Sequence, residues 1–336
     1  MANVATQQPN GILFSEPTMF RNRIINGDMR IDQRNAGTQS NTVGTQYHVD
    51  RWNYIGTIAT KFTIQKSSTA PAGFTSSLLL TSSAATVPGS SDWWALRYYI
   101  EGLNVADLAW GSSSAKTITV SFWARSSLTG TFSGTIMNDA ANRSYPFSYT
   151  INAANTFEYK TVTIPGDTTG AWTTDTTAGI RLIYSLGGGA SVQGTAGVWS
   201  AGALWGGVTG STNLVGTNTA TLYITGVQLE QGITATPFEF RPYGTELALC
   251  HRYYASIGRM DMVTVGGRLL SQGHGTLMRA TPSLTVSETR LLGAGTLLTN
   301  PTWVIHSLNG RGYSGETSYT STDQYSLYDM RFSAEL

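Results

Sequence analysis

Alternation of apolar and polar positions dominates the middle of the chain. Apolar side chains occupy every second position, with mostly Thr, Ser, Lys or Arg between them, in the segments KFTIQ, TITVSFWA, KTVTI and GIRLIYSL. A period of two is typical of antiparallel strands that rest one face on a shared core. Turn clusters such as SSLTGT, PGDTTGAW and SLGGGAS separate these segments. The pattern predicts an all-β protein whose central part is a two-sheet antiparallel sandwich.

Two further segments refine this sandwich. In DWWALRYYIEG the alternation places Trp94 on the face with Leu96, so a core position is favoured for Trp94. Trp123 instead alternates onto the Ser and Thr face of its strand. In TLYITGVQLE the apolar phase slips by one residue at Gly226, which predicts a β-bulge that redirects the strand.

The pattern changes to that of a helix after the sandwich. Pro237 and Pro242 interrupt any strand ladder, and Thr245 is predicted to cap a short helix with Glu246 in its first turn. The apolar side chains of this helix fall on two adjacent faces and comprise Leu247, Leu249, Cys250, Tyr253 and Tyr254. A helix of this length is marginal alone, so we expect it to be covered on more than one side.

The two ends of the chain differ from its centre. Residues 1–47 are polar and rich in turns, and their few apolar residues are too sparse for a core, which predicts an attachment arm. Strand patterns return in MDMVTVGGRLL, SLTVSE, TWVIHSL and SLYDMRFSAEL. The predicted organisation is therefore an arm at 1–47, the sandwich at 48–240, the linker and helix at 241–256, and a small C-terminal β domain at 257–336.

Composition narrows the possible functions. The 336 residues include 21 basic and 20 acidic side chains, a balance without the basic stripe that nucleic-acid binding requires. The single cysteine, Cys250, excludes an internal disulfide framework and is expected in the core. We find neither a signal-peptide pattern nor an apolar run long enough to span a membrane. The expectation is a protein made in a cytosol, without membrane insertion, and released by lysis.

Polar candidates for catalysis or metal binding form no motif. The carboxylates of the sandwich lie in turn-like contexts, and the histidines are too scattered to share the spacing of zinc ligands. These residues are Asp139, Glu158, Asp167, Asp175, His48, His251, His274 and His306. The sequence therefore predicts no enzyme, no cofactor and no metal site.

Aromatic side chains are the best candidates for ligand binding, because an exposed ring offers an apolar face to a sugar. Three lie in Gly- and Thr-rich loops of the sandwich, and the rest lie in or beside the loop SLNGRGYSGETSYTSTDQY of the C-terminal domain. The predicted glycan-binding residues are Trp172, Trp199, Trp205, Trp303, His306, Tyr313, Tyr319 and Tyr325. Packing of these rings within the core or between chains is the alternative.

Several segments together resemble the tail-fibre and receptor-binding proteins of tailed bacteriophages. They are INGDMRIDQRN, DRWNY, YYIEG, TVSFWARSSLTGT, LYITGVQLEQGITATPFEFRPYGTELALCHRYY, MRATPSLTV and FSAEL. The resemblance spans residues 22–336 and is most specific at 227–254. It implies a jelly-roll-like sandwich similar to carbohydrate-binding modules, assembly as a homotrimer, an N-terminus that grips the phage tail or baseplate, and a distal domain that meets the host surface.

The leading hypothesis is a non-enzymatic, homotrimeric tail fibre of the virion that adheres to host-surface polysaccharide. The trimer interface is expected at the helix, through Leu247, Leu249, Cys250, Tyr253 and Tyr254. A head fibre or capsid decoration protein is the alternative in the structural class. A glycan depolymerase is the third hypothesis, although the long β-helical repeats usual in such enzymes are missing from the sequence.

Overall fold

The computed structural model describes residues 20–35, 37, 47–265, 268–269, 278–280, 283–291, 303–305, 315–317 and 324–335. Side chains are described up to Ser256 and again at 278–280, 283 and 331–335. The strands are β1 Tyr47–Val49, β2 Trp52–Gly56, β3 Phe62–Ser67, β4 Ser77–Ser82, β5 Trp93–Glu101, β6 Ile118–Ser126, β7 Gly130–Met137, β8 Arg143–Ile151, β9 Glu158–Ile164, β10 Ala178–Gly188, β11 Gln193–Gly194, β12 Ser200–Ala201, β13 Gly207–Val208, β14 Thr221–Gln231, β15 Tyr254–Val265, β16 Arg268–Leu269, β17 Ser283–Leu291, β18 Trp303–Ile305, β19 Gly315–Thr317 and β20 Gln324–Ser333.

Two antiparallel sheets form the predicted sandwich. One has seven strands in the order β1-β2-β5-β10-β7-β8-β12, and the other has five in the order β3-β4-β14-β6-β9. Aromatic side chains from both inner faces meet in one core, where Phe122 of β6 lies 5.0 Å, between ring centroids, from Tyr149 of β8 and from Tyr184 of β10. Such pairs each add about 0.5–1.5 kcal/mol beyond the area they bury. The all-β prediction and the antiparallel sandwich are confirmed.

Details of the strand predictions are also confirmed. Trp94 is fully buried in the core, as its phase in β5 requires. The register of β14 against β6 shifts between Thr225 and Gln228. Gly226 at this bulge has φ +60°, a left-handed conformation that favours glycine. The phase slip in the sequence therefore marks a real bulge.

The single α-helix of the described residues, α1, spans Tyr243–His251, and 3-10 turns occur at Gly102–Asn104, Ala106–Leu108, Ala190–Val192 and Leu214–Gly216. The predicted cap at Thr245 is wrong, because the helix begins two residues earlier and Pro242 occupies the capping position without a side-chain bond. Tyr254 lies in β15, where it pairs with Ser333, and not in the helix. None of the described helices has the length and apolar character needed to cross a membrane.

The N-terminal segment at residues 20–35 is part of the sandwich body. Its backbone joins β14, since Arg23 N donates to Leu229 O and Val227 N donates to Gly27 O, both at 2.9 Å. Ile24 and Met29 are fully buried in the sandwich core. The expectation that 1–47 is a separate arm is therefore corrected for these residues, because long-range pairing supplies the core that the segment lacks. Residues 1–19 lie outside the described residues.

The C-terminal strands form a six-stranded antiparallel sheet in the order β17-β20-β15-β16-β19-β18. Its end is fastened to the sandwich, because the Glu335 carboxylate pairs with Arg51, which is 1% exposed, and with Arg34 at 2.9 Å. Ala334 N also donates to Tyr253 O at 2.7 Å. The last residues thus tie the sheet to the turn between β1 and β2.

Candidate functional site

Hydrogen bonding of the indole N–H separates the described tryptophans into two groups. Trp52 donates to the buried carbonyl of Asn26, and Trp94 donates to the carbonyl of Ile58. Trp110, Trp172 and Trp199 also donate within the protein, to Lys116 O, to Asp167 and Thr169 O, and to Pro165 O. The remaining described side chains, Trp93, Trp123 and Trp205, have indole nitrogens that reach solvent and have no partner among the described residues.

The structure brings the predicted candidates Trp172 and Trp199 together with Trp110. The three rings pack edge to face, with centroid separations of 4.7, 5.4 and 5.6 Å. They rest against the sandwich core and are partly buried. Their indole N–H groups donate to protein acceptors, and their rings contact one another and the core. This arrangement is typical of aromatic packing at the edge of a core. Whether either ring contacts a glycan stays a prediction.

Trp205 lies elsewhere, on the outer face of the seven-stranded sheet. Its ring stacks on Trp93 of β5 at 4.8 Å with an interplanar angle of 15°. Beneath the two indoles is an apolar floor of four buried side chains, Ile55, Ala95, Met137 and Ile183. The floor comes from β2, β5, β7 and β10, so the regular sheet fixes the position of both rings.

The loop that carries Trp205 is bound flat against the sheet. Thr135 Oγ1 donates to Leu204 O at 2.8 Å and Ser185 Oγ donates to Gly206 O at 3.0 Å. Gly207 has φ +75°, and a Cβ there would lie 2.2 Å from Ser133 Oγ. A side chain at this position would therefore lift the loop, and Trp205 with it, off the sheet.

Two arginines extend the stacked indoles along the same face. The Arg181 guanidinium lies 5.6 Å from the Trp205 ring centroid and 5.4 Å from that of Tyr99. The Arg97 guanidinium also lies close to Tyr99, 4.3 Å from its ring centroid. We call the surface formed by Trp93, Trp205, Arg181, Tyr99 and Arg97 the sheet platform.

The two arginines of the sheet platform differ in their charge balance. Arg181 forms an ion pair with Asp139 at 2.7 Å. Arg97 donates from Nε to Asn53 Oδ1 at 3.2 Å, and no carboxylate of the described residues lies within ion-pair distance of it. Burial lowers the pKa of Arg97, because a cation with little water around it is disfavoured. Counting the described side chains alone, the sheet platform therefore holds one positive charge that has no ion-pair partner.

The outer face of the five-stranded sheet offers a smaller aromatic surface. Trp123 lies 5.4 Å from Tyr159, which is 44% exposed. Arg125 lies 5.0 Å from the Tyr223 ring centroid and 5.8 Å from that of Phe157. This face has one indole N–H open to solvent where the sheet platform has two.

Sequence reasoning missed most of the sheet platform. Alternation in DWWALRYYIEG places Trp93, Arg97 and Tyr99 together on the face opposite Trp94. That face is rich in aromatic and cationic side chains, whereas the solvent faces of the other strands carry mostly Thr, Ser or Lys. This difference in composition could have identified the face as a candidate binding surface. Arg181 could not have been found this way, because only the pairing of β10 with β5 brings it opposite Tyr99.

The predicted trimer interface is divided by the structure. Cys250, Tyr253 and Tyr254 are already buried within the single chain, at 0%, 1% and 4% exposure. Arg51 covers the Tyr253 ring at 3.4 Å and Arg34 covers the Tyr254 ring at 3.6 Å. Burial also raises the pKa of the Cys250 thiol. Association of the helix with further chains stays a prediction. Two residues of the predicted interface, Leu247 and Leu249, are partly exposed.

The candidates of the C-terminal domain lie outside the side chains that the structure describes. Trp303 lies in β18 and Tyr325 in β20, with side chains outside the described ones. His306, Tyr313 and Tyr319 lie outside the described residues altogether. Their assignment to glycan binding stays a prediction.

The carboxylates of the sandwich serve local structure. Asp167 forms a two-point pair with Arg143 at 2.7 and 2.8 Å, and although burial opposes it, this pairing lowers the pKa of Asp167. Glu158 accepts from Asn152, Ala153 and Lys160. In the part of the chain that the structure describes, no three His, Cys, Asp or Glu side chains lie close enough to hold a metal ion.

Comparisons with known proteins give weak likenesses only. No family model matches the chain, and no curated protein matches its sequence. Among solved structures, the enzymatically active domain of tailspike protein 4 of bacteriophage CBA120 has 14% identity and a TM-score of 0.34, and the match covers 63% of this chain and 22% of that one. The family 11 carbohydrate-binding module of a Clostridium thermocellum cellulosomal cellulase has 12% identity and a TM-score of 0.29, over 60% of this chain and 98% of that one.

A third structure is similar to the same extent. The N-terminal cellulose-binding domain of Cellulomonas fimi β-1,4-glucanase C has 14% identity and a TM-score of 0.28, and the match covers 60% of this chain and 99% of that one. This chain spans less than a quarter of the tailspike domain, at 22% of its length. The fold assignment therefore rests on the strand pairing of this chain and not on these likenesses.

Proposed function

We propose that this protein is a non-enzymatic tail fibre of a tailed bacteriophage that binds host-surface glycan, and that the sheet platform is one of its glycan contacts. The observation that carries the binding proposal is the pair of stacked indoles, Trp93 and Trp205, whose N–H groups both reach solvent. An aromatic ring packs against the C–H face of a sugar, while nearby donors bind its hydroxyls. The resemblance in sequence supplies the phage context.

Substitution of the platform indoles tests the binding proposal. Full-length protein carrying Trp93→Ala or Trp205→Ala should bind a panel of bacterial capsular polysaccharides and lipopolysaccharides at least tenfold more weakly than the parent chain, measured by surface-immobilised binding. Trp123→Ala on the opposite sheet is the matched control and should leave binding unchanged. Equal losses in all three variants, or none in the first two, would contradict the role of the platform, provided that thermal melts show folded protein.

Assembly as a homotrimer is part of the same proposal. Leu247 and Leu249 of α1 pack against the cluster around Cys250 but remain partly exposed, and they are the expected points of contact between chains. Light scattering at micromolar concentration should report three times the chain mass of 36.1 kDa. Leu247→Asp with Leu249→Asp should reduce that mass to one chain. A parent protein that is monomeric under these conditions would refute the trimer.

Attachment to the virion is assigned to the N-terminal end. Because residues 20–35 are integrated in the sandwich body, the part proposed to grip the tail or baseplate is residues 1–19. Labelled antibody against the protein should decorate tails in electron micrographs of virions. Decoration of heads would instead favour the alternative, a head fibre or capsid decoration protein.

A further inference from the structure

Charge pairing among residues 21–252 singles out two arginines. Between Arg21 and Arg252 the structure describes eleven arginines, and nine of them form ion pairs. The exceptions are Arg97 and Arg125, one on the outer face of each sheet and each lying over a tyrosine ring. Within residues 21–252 the fold pairs every other arginine with a carboxylate, so these two are left for solvent or for a ligand.

Arg97 has the geometry of an anion-binding group. Its Nε donates to Asn53 Oδ1 at 3.2 Å and its guanidinium carbon lies 4.3 Å from the Tyr99 ring centroid, so two contacts position the group. Its two terminal nitrogens have no partner among the described residues and are not buried, which leaves them free to donate. An oriented guanidinium binds a carboxylate or phosphate with two parallel hydrogen bonds.

The surroundings of Arg97 strengthen its preference for an anion. It is partly removed from water with no carboxylate paired to it, a condition that a negative group on a ligand relieves. Arg181, on the neighbouring strand, is already neutralised by Asp139 and does not compete for the ligand charge. Of the two arginines of the sheet platform, Arg97 is therefore the one whose charge is unpaired within the part of the chain that the structure describes.

Position along the strand links this site to the indoles. Trp93 and Arg97 lie four residues apart on the same face of β5, which is about 14 Å at the usual rise of a strand. A chain of several sugar units lying along β5 would contact the stacked indoles with neutral rings and Arg97 with a charged one.

We propose that Arg97 is an anion subsite of the sheet platform and that the preferred ligand class is an acidic glycan, in which a sugar carries a carboxylate or a phosphate. This inference rests on the proposed glycan binding and names its substrate class. Carboxylated and phosphorylated sugars share this chemistry, since each presents an anion next to a sugar ring.

Paired ligands test the inference with full-length protein. Each capsular polysaccharide and lipopolysaccharide of the panel is presented in its native form, after chemical reduction of its carboxyl groups to alcohols, and after removal of its phosphates. The protein should bind the acidic members of the panel more tightly than the neutral ones. Its affinity for an acidic member should fall at least tenfold after one of the two treatments, and the effective treatment shows whether the bound anion is a carboxylate or a phosphate. Raising the sodium chloride concentration should weaken the binding as well.

Arginine variants complete the test. Arg97→Gln should lose at least tenfold in affinity for the acidic glycan and lose most of the salt dependence, whereas Arg125→Gln, the matched control on the opposite sheet, should behave as the parent. Equal affinity for native and neutralised glycans, or full binding by Arg97→Gln, would overturn the subsite while leaving glycan binding intact. Binding to no member of the panel would overturn the proposed function and the subsite together.

Discussion

At the scale of single residues, Gly27 holds the N-terminal segment against β14. A Cβ at this position would lie 2.2 Å from Val227 O, so Gly27→Ala must push the segment away and weaken the Val227 N to Gly27 O bond. We expect a loss of about 1–3 kcal/mol in the free energy of unfolding, measured by urea denaturation. Gly244→Ala in α1, where a Cβ meets nothing within 4 Å, is the control and should be neutral or slightly stabilising. Equal effects would contradict the close approach.

Asp50 predicts a pH dependence of stability. Burial raises its pKa from 3.8 to about 6, so between these values the folded chain holds a proton that the unfolded chain has released. This carboxylate therefore makes the protein less stable as the pH rises from about 4 to about 6, by at most about 3 kcal/mol. Asp50→Asn should remove that component, seen as a smaller drop in unfolding free energy between pH 4 and pH 7. An unchanged drop would show that Asp50 titrates normally.

At the scale of elements, α1 and the N-terminal segment form one packing unit. Cys250, Tyr253, Ile25 and Ile31 share a buried cluster. The Cys250 thiol should therefore react with iodoacetamide orders of magnitude more slowly in buffer than in urea, since reaction requires the segment to detach. A variant with Cys250→Ala and Ala248→Cys, whose new thiol lies on the exposed side of the helix, should react quickly in both. Rapid labelling of native Cys250 would mean that residues 20–35 are a loose arm.

At the scale of the whole molecule, Glu335 fastens the C-terminal sheet to the sandwich. Its carboxylate is 8% exposed and neutralises Arg51, which is 1% exposed. Glu335→Gln leaves that guanidinium buried without a counter-charge, and we expect a loss of about 3–5 kcal/mol in unfolding free energy. Asp107→Asn is the control, because it breaks an ion pair with Arg23 in which the Asp107 side chain is 48% exposed. This change should lower the unfolding free energy by less than about 1 kcal/mol. Similar costs for both would contradict the fastening role.

The sequence by itself determined the strands and their facing. Because side chains alternate across a strand, the apolar phase identified β3, β5, β6, β9, β10 and β14, and one slip in that phase located the bulge at Gly226. The same local signal separated Trp94, which is buried, from Trp93, which faces outward. These features depend on neighbours a few residues away, so a single sequence contains them.

Only the tertiary structure decided which groups are available to a ligand. Trp172, Trp199 and Trp205 lie in similar Gly- and Thr-rich loops, yet the first two close the core and the third stacks on Trp93. Ile24 and Met29 looked too sparse for a core and are buried because the segment pairs with β14, about 200 residues away. The sequence also cannot tell which arginines are paired, because partners such as Arg51 and Glu335 are far apart in the chain. Only the structure therefore distinguishes Arg97 from the paired arginines. Such contacts join residues far apart in the chain, and no local pattern records them.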